Sequence, residues 1–248
     1  MLSLINPYAE QFISKSRSVP VPSDLYETSI FDLEYPDLLR KCLDVQLNIS
    51  NEDIKIVEDD TRAQAKALSF LRHRVGRIGA SVCGIAYHTN PAQHSQSLIQ
   101  SICYPHLFKV NTKAVKHGIK YEDYAIKAYE QYMISKNVNL KLERCDMFIN
   151  KDYQFIHATP DFLVSCDCCG LGCGEIECPI SILNGDFGKY LLKKNCCLEK
   201  GDVGMKLKRT NNYYYQVQQQ LFTLSDRKFN DFVVCGIDQH GNANIVCD

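Results

Sequence analysis

The sequence predicts a mixed α/β fold of the α+β kind, with helices and strands in separate runs of the chain. Hydrophobic residues make up 45% of the 248 residues, which is enough for one substantial core. Helical periodicity dominates residues 59–137 and returns at 211–224, whereas short runs rich in β-branched and aromatic residues lie between and after these stretches. The order helix, strands, helix, strands is typical of this fold class.

The composition also limits the setting in which the protein works. No apolar run reaches the roughly 18 to 20 residues of a membrane span, and the first residues lack the pattern of a secretory leader. The 13 cysteines are odd in number, which favours buried or metal-binding thiols over a disulfide framework. We therefore expect an intracellular protein, cytoplasmic or nuclear, with no membrane partner.

Charge divides the chain into an expected acidic extension, residues 1–58, and a main domain, residues 59–248. Residues 1–60 carry 12 acidic and 5 basic side chains, whereas residues 61–121 carry nine Lys and Arg and no Asp or Glu. A second basic cluster follows between residues 189 and 209. Basic clusters attract phosphate backbones, although many are ordinary solvated helix faces. The length of the acid-free block favours nucleic acid as the partner, and the role of the extension is not indicated.

The elements of the main domain follow from periodicity and capping residues. Four helices are expected: one from Asp59 or Asp60 to near Gly76, one with Pro91 at its start, one through residues 111–137 and one through residues 211–224. The expected inner face of the third comprises Ala114, His117, Tyr121, Ala125, Ala128 and Tyr132. A shorter helix is expected near Asp37 to Val45 in the extension.

Six short runs predict strands. Four of them, residues 143–149, 153–158, 161–166 and 174–182, are expected to be neighbours in one sheet. Two more, residues 231–237 and 243–247, are expected to close the domain.

Three acidic residues flank the predicted turn between the third and fourth strands. Asp161 begins one strand and Glu175 lies on its partner, so a tight hairpin brings both to one end of the sheet. Glu177, two residues further on, shares a strand face with Glu175. Carboxylates on rigid elements suit Mg²⁺ or Mn²⁺, and their mutual repulsion calls for a cation. A hairpin whose acidic residues simply face water fits the same spacing.

Four sequence elements, in order, resemble those of the YqaJ-type viral recombinases, the lambda-exonuclease-like group of PD-(D/E)xK nucleases. They are "RVGRIGAS", "HGIKYEDYA", "ATPDFLV" with "GEIECP", and "YYYQVQQQL". The resemblance covers about Arg62 to Cys247. It implies a restriction-endonuclease-like core, with a central mixed β-sheet flanked by helices.

The resemblance also implies residue roles. Metal ligands would be the carboxylates of Asp161 and Glu175, the Ile176 carbonyl and Glu122, the last directly or through water. Tyr213 and Gln216 would lie beside the attacked phosphate. The residues implied at a terminal 5′-phosphate are Arg74, Ser81 and Thr159, and the neighbouring Arg77 is expected to assist in binding DNA. Guanidinium and hydroxyl groups all donate hydrogen bonds to phosphate oxygens.

One residue departs from the family pattern at a critical point. Glu177 stands where the family has a lysine that helps to activate the attacking water, and a carboxylate cannot supply positive charge. Three explanations are open: a natural variant that uses the carboxylate as a further ligand or base, a protein that binds DNA ends without cutting, or a deliberate lysine-to-glutamate change.

Thiols and imidazoles near the predicted hairpin offer further ligands. Cys166, Cys168, Cys169 and Cys173 lie within eight residues, and four thiolates suit Zn²⁺. Their spacing lacks paired C-x₂-C units, so free thiols on a loop are preferred to zinc. His117 and His157 are candidate neighbours of the metal, although buried core histidines are more common.

These inferences converge on a Mg- or Mn-dependent exonuclease that hydrolyses duplex DNA from an end, 5′ to 3′, in recombination. A single-strand annealing recombinase as partner and a homotrimer are what the resemblance suggests. The first alternative is a DNA-end-binding protein with a disabled centre. The second is a zinc-hairpin module that binds proteins.

Overall fold

A computed structural model describes residues 19–25, 27–30, 32–62, 68–93, 95–107, 111–202 and 204–248. The α-helices of these residues are α1 Tyr35–Leu43, α2 Asn51–Arg62, α3 Leu68–Arg74, α4 Cys83–His88, α5 Gln96–Cys103, α6 Lys113–Ile134, α7 Phe187–Leu191 and α8 Asn212–Thr223. The strands are β1 Ile78–Gly79, β2 Lys141–Glu143, β3 Phe148–Ile149, β4 Ile156–Ala158, β5 Phe162–Cys166, β6 Gly170–Glu177, β7 Leu198–Gly201, β8 Gly204–Leu207, β9 Phe229–Ile237 and β10 Ala243–Cys247.

The central sheet has five strands in the order β10-β9-β6-β5-β2 and is mixed. All its neighbouring strands are antiparallel except β6 and β9, which run parallel. Helix α6 packs against β6, β9 and β10, and helix α8 packs against β6 and β9. The expected mixed sheet flanked by helices is confirmed.

The β5–β6 hairpin is held by a glycine under an aromatic ring. Phe162 pairs with Gly174 across the hairpin, and a Cβ on Gly174 would lie 2.1 Å from the Phe162 ring. The same ring packs on Tyr129 of α6, with centroids 4.8 Å apart. The large Phe162 ring therefore fits only because residue 174 is a glycine. Its packing on Tyr129 holds the hairpin against α6.

The strands predicted as neighbours in one sheet are divided between two sheets. Strands β3 and β4 pair with each other and, through β4, with β1 in a separate three-stranded sheet. The prediction of one continuous sheet was wrong because the chain leaves the central sheet after β2, and β3 and β4 pair away from it; helix α8 contacts both β4 and β9 and so packs against both sheets. The β7–β8 hairpin was not predicted.

Two helix starts also differ from expectation. Helix α2 begins at Asn51 rather than at Asp59 or Asp60, and it runs through the expected boundary at residue 58. Its Val57 is fully buried in a cluster with Met147 and Ile149. Residues on both sides of residue 58 thus enter one core. Helix α5 begins after Ser95, whose hydroxyl accepts a hydrogen bond from the Leu98 N–H, and not at Pro91.

Arg77 supports the fold from inside, which contradicts its expected contact with DNA. It is 1% exposed, and its guanidinium donates to the backbone carbonyls of Gln154 at 2.8 Å, His73 at 2.5 Å and Pro20 at 3.4 Å. The donors of this side chain are used to join α3, the loop before β4 and the N-terminal segment. No phosphate could reach them without breaking those bonds.

We expect Arg77→Ala to lower the free energy of unfolding by about 3 kcal/mol, because it leaves buried carbonyls without partners. Urea unfolding followed by circular dichroism measures this. Arg40→Ala is the matched control: Arg40 pairs with Asp37 on the exposed face of α1, and its loss should change stability by less than about 1 kcal/mol. Equal effects of the two substitutions would contradict the structural role of Arg77.

In the described part of the chain, no helix combines the length and the apolar character that crossing a bilayer requires.

Candidate active site

Asp161 and Glu175 occupy adjacent positions at one end of the β5–β6 hairpin. The Asp161 N–H donates to the Gly174 carbonyl at 3.0 Å, and its Oδ2 accepts from the Ile176 N–H at 2.6 Å. Because Phe162 and Gly174 form the next pair in the register, Asp161 lies across from Glu175. The backbone reversal predicted from the sequence therefore sets the two carboxyl groups side by side.

The Glu175 carboxylate is held by two glutamines of α8. Gln216 Nε2 donates to Oε1, and Gln220 Nε2 donates to Oε2 at 2.5 Å. Gln220 is fully buried, and its own Oε1 accepts from Asn230 Nδ2 at 2.6 Å. The chain Asn230–Gln220–Glu175 fixes the orientation of the carboxylate. Gln220 was not predicted, although its four-residue spacing from Gln216 puts both on one helix face.

Burial and mutual repulsion raise the pKa values of this group of carboxylates. Burial, then the nearby Glu122 charge, raises the pKa of Asp161 to about 7. Burial and the charges of Asp161, Glu177 and Glu122 raise the pKa of Glu175 well above its ordinary value. The nearest opposing charge is Arg144, which lowers the pKa of Asp161. Asp161, Glu175 and Glu177 thus lie in a poorly solvated region, with the ion-paired and partly exposed Glu122 at its edge.

Helix α6 contributes to this region from the side. Glu122 accepts a hydrogen bond from Arg144 Nη1 at 2.9 Å, and the same guanidinium also pairs with Asp123. His117, one turn earlier, makes a 3.0 Å bond through Nδ1 with the Cys178 carbonyl at the end of β6. His117 therefore lies at the end of β6 that carries Glu177, and its place beside a metal stays a prediction. Arg144 was not predicted, since nothing in its local sequence links it to α6.

Glu177 lies at the end of β6 beside Tyr213. Burial raises the pKa of Glu177 to about 7, and a hydrogen bond from the Tyr213 hydroxyl opposes this rise. The Tyr213 ring packs on Phe232 of β9 with centroids 5.5 Å apart. The residue at the unexpected position is therefore a carboxyl group with a raised pKa, and the Tyr213 hydroxyl is its hydrogen-bond donor.

Two of the residues expected at a 5′-phosphate, Ser81 and Thr159, follow the paired strands β1 and β4. Gly79 pairs with His157, so Ser81 and Thr159 each lie two residues beyond a paired position. Thr159 Oγ1 is buried and has no hydrogen-bond partner in the described residues. Arg74 forms no ion pair within those residues, and burial lowers its pKa. His157, fully buried, lies close enough for the charge of Arg74 to lower its pKa, so this histidine belongs here and not with the carboxylates.

The cysteines of the hairpin turn separate into two groups. Cys166, Cys168 and Cys169 form the only set of three His, Cys, Asp or Glu side chains in the described residues whose ligand atoms all lie within 4.8 Å of one another. No three carboxylates of the acidic cluster are this close. Cys173 is apart: it is fully buried and contacts the Phe229 carbonyl and the Asn230 amide. The predicted group of four is thus a group of three, and none of the 13 cysteines forms a disulfide.

This combination of a mixed five-stranded sheet, flanking helices and acidic residues at the end of a central hairpin defines the PD-(D/E)xK restriction-endonuclease-like class of fold. The chain belongs to the YqaJ-like viral recombinase domain family, whose model matches residues 69–226. The resemblance drawn from the four sequence elements is confirmed.

Known proteins are similar to this chain at low identity. Uncharacterized protein R354 of Acanthamoeba polyphaga mimivirus is 22% identical over 190 residues, which are 77% of this chain and 32% of that protein. The chain thus spans about a third of the length of that relative. The structure of a SOX–DNA complex is similar over 86% of this chain and 68% of the SOX chain, with a TM-score of 0.51 and 9% identity. The alkaline exonuclease LHK-Exo of Laribacter hongkongensis is similar over 70% of this chain and 77% of the LHK-Exo chain, with a TM-score of 0.43 and 18% identity. The SOX match supports the fold.

Proposed function

We propose that this protein is a metal-dependent exonuclease that hydrolyses duplex DNA from its ends, 5′ to 3′, in recombination. The observation that carries the proposal is the buried carboxylate cluster at the end of the β5–β6 hairpin, which has one arginine as its nearest opposing charge. Membership of a viral recombinase family supports DNA as the substrate.

A hard divalent cation, Mg²⁺ or Mn²⁺, fits the donor set. Burial and then the charges of neighbouring carboxylates raise the pKa values of Asp161 and Glu175, and a bound divalent ion would neutralise those charges. Asp161 and Glu175 would hold the ion, with the Ile176 carbonyl and Glu122 as further oxygen donors. When bound, such an ion polarises the scissile phosphate and lowers the pKa of an attacking water.

The remaining steps belong to the chain itself. Gln216 and Gln220 orient Glu175, and Gln216 would exchange its present bond for one to the phosphate or the water as DNA enters. The Ile176 N–H holds Asp161 in place. Tyr213 keeps Glu177 partly ionised through its hydrogen bond, and a carboxyl group whose pKa is about 7 has the acid–base character of a general base.

Two further features support binding of the DNA backbone and the strand end. Lys113, Lys116 and Lys120 are exposed along the N-terminal half of α6, which leads to Glu122. Arg74 has no acidic partner in the described residues, and the unpaired Thr159 hydroxyl lies in the same region, so a terminal 5′-phosphate would satisfy both. Ser81 is exposed and would add a third donor.

The direct test is degradation of a linear duplex labelled at either 5′ end or 3′ end, with Mg²⁺, with Mn²⁺ and with a chelator. We expect early release of label from the 5′ end, abolished by the chelator. Cleavage of closed circular DNA, or release from the 3′ end first, would contradict an exonuclease of this polarity. Light scattering of the free protein and after addition of a single-strand annealing recombinase tests the trimer and the partner.

One specific residue favours a second candidate, a DNA-end-binding protein that does not cut. Glu177 adds negative charge where phosphoryl transfer develops negative charge, and this opposes the reaction. In that case the protein binds duplex ends with the salt dependence of phosphate contacts but releases no nucleotides under any metal condition.

We expect Arg74→Ala to remove most of the preference for 5′-phosphorylated over 5′-hydroxyl ends, by about 10-fold or more in relative rate or affinity, because a charged donor to the terminal phosphate is lost. The measurement is the ratio of cleavage rates on two duplexes that differ only in a 5′-phosphate or a 5′-hydroxyl. A general loss of folding would lower both rates alike and leave this ratio unchanged. Lys136→Ala is the control. This exposed lysine lies just after the C-terminal end of α6 and contacts the Tyr132 ring. An unchanged ratio in Arg74→Ala would exclude Arg74 from the phosphate site.

A further inference from the structure

Three thiols and one amide oxygen converge at the turn of the β5–β6 hairpin. Cys168 Sγ lies 3.3 Å from Cys166 Sγ and 3.7 Å from Cys169 Sγ. Asn137 Oδ1, from the turn that follows α6, lies 3.4, 3.2 and 3.6 Å from the sulfurs of Cys166, Cys168 and Cys169 in that order. The oxygen therefore caps a triangle of sulfur atoms, and the four atoms form a compact tetrahedron.

The size of this tetrahedron matches a zinc site. With Zn–S bonds of about 2.3 Å and a Zn–O bond of about 2.1 Å, regular tetrahedral geometry puts sulfurs about 3.8 Å apart and sulfur and oxygen about 3.6 Å apart. The observed separations, 3.2 to 3.7 Å, need a widening of only a few tenths of an ångström. Thiolates select Zn²⁺ over Mg²⁺, whereas the carboxylate cluster has the opposite preference.

The backbone around the four atoms is already ordered for this geometry. Asn137 Nδ2 donates to the Met133 carbonyl at 3.0 Å, which turns Oδ1 toward the thiols. The Asp167 N–H donates to the Val138 carbonyl at 2.9 Å, and this bond joins the hairpin turn to the turn after α6. The ligand atoms therefore converge without any large movement of the chain.

This cluster is separate from the carboxylates. Five residues of β5 lie between Asp161 and the turn, a distance of about 17 Å along an extended strand. Cys173 faces away from the turn toward β9 and takes no part.

We infer that Cys166, Cys168, Cys169 and Asn137 form a structural Zn²⁺ site that ties the β5–β6 turn to the C-terminal end of α6. The bound ion cross-links the hairpin that carries Asp161 and Glu175 at its other end to the helix that carries Glu122 near its middle. Zn²⁺ replaces the thiol protons, which pass to solvent, so affinity falls with acidity. The site is independent of the nuclease proposal, because it needs only the fold.

The experiment is metal analysis of the full chain, purified under reductant from zinc-supplemented cells, by plasma mass spectrometry. We expect one equivalent of Zn²⁺ in the wild type, less than a tenth of an equivalent in Cys168→Ser/Cys169→Ser, and one equivalent in Cys42→Ser. Cys168, Cys169 and Cys42 are all exposed, so these substitutions leave the core intact. Glu175→Gln should also keep its zinc, which separates this site from the carboxylate cluster.

Spectroscopy on the metal-free protein provides the second readout. Co²⁺ titration should produce the near-ultraviolet thiolate-to-cobalt charge-transfer band in the wild type and in Cys42→Ser, and lose it in Cys168→Ser/Cys169→Ser. Asn137→Asp, with an anionic oxygen at the fourth position, should bind Zn²⁺ at least as tightly as the wild type. A reduced wild type without Zn²⁺, a double variant that keeps it, or a disulfide among these three cysteines in freshly reduced protein would each overturn the inference.

Discussion

Replacing Glu177 with lysine is expected to raise the rate of DNA cleavage by about 100-fold, the scale of one electrostatic group that acts on a transition state. The ammonium group would replace a partly buried carboxyl group close to Asp161 and Glu175, whose pKa values are raised by burial and then by the charges of neighbouring carboxylates. It would lower those pKa values, and it would offset the negative charge that develops on the attacked phosphate. Single-turnover cleavage of a 5′-phosphorylated duplex measures the effect.

Glu177→Gln is the matched control, since it removes the negative charge without adding a positive one. We expect its rate to lie between those of the wild type and Glu177→Lys. A wild type that does not cut, beside a Glu177→Lys variant that does, would establish the disabled DNA-end-binding alternative. A rate that falls in both variants would show instead that the carboxylate itself serves as ligand or base.

Glu175→Gln and Asp161→Asn are each expected to reduce cleavage at least about 100-fold while DNA binding is kept or strengthened. Each amide has nearly the shape of the acid but cannot neutralise a divalent cation, and each removes one charge that repels the phosphate backbone. Cleavage and binding are measured on the same duplex, the latter in Ca²⁺. Cleavage retained by either variant would contradict the proposed metal ligands.

The same substitutions make a prediction about stability that does not require activity. The pKa of Asp161 is about 7 in the fold and near its ordinary value of about 4 in the unfolded chain. The folded protein thus holds a proton that the unfolded chain releases, so this contribution to stability is complete below about pH 4 and is lost as pH rises through 7. Without metal, the melting temperature of the wild type should fall relative to that of Asp161→Asn across this range.

Two buried histidines make this comparison between variants necessary. Burial lowers the pKa of His73 and of His157 to about 3, so their contribution to stability is present above about pH 6.5 and lost as pH falls toward 3. Both proteins carry these histidines, so the difference between them reports Asp161 together with its effect on the pKa of Glu175. Mg²⁺ at pH 8 should raise the melting temperature of the wild type and leave that of Asp161→Asn unchanged.

Helix α6 shows how much of a helix could be predicted from the spacing of its apolar residues. Its range was predicted within a few residues, and the structure adds that Thr112 caps its start by accepting a hydrogen bond from the Val115 N–H. Its inner face was right at Ala125, which is fully buried, and wrong at Tyr132, which is 46% exposed; Tyr129 is buried instead. An apolar repeat of three or four residues locates the buried face of a helix only to within one residue per turn. Which residues are buried is decided by the sheet on which the helix packs.

The candidate site divides in a similar way. Adjacent positions for Asp161 and Glu175 followed from a short hairpin, because the turn length and the strand period leave little freedom. The partners Gln220 and Arg144 come from elements 45 and 22 residues away from the carboxylates that they contact. For Arg77 the sequence predicted a contact that the structure does not support. It was assigned to DNA because it lies in a basic segment, but it is buried and its guanidinium donates to backbone carbonyls.

The sequence by itself determined the fold class, the family, the central hairpin and the set of acidic residues, since these depend on local pattern and on motifs in a fixed order. The tertiary structure alone decided that the predicted strands are divided between two sheets, that Asn137 rather than Cys173 lies with the three thiols, and that Glu177 accepts a hydrogen bond from Tyr213. The reason is physical: burial, pKa and the identity of a contact depend on groups that are distant in the chain, and packing brings them together only in the folded state.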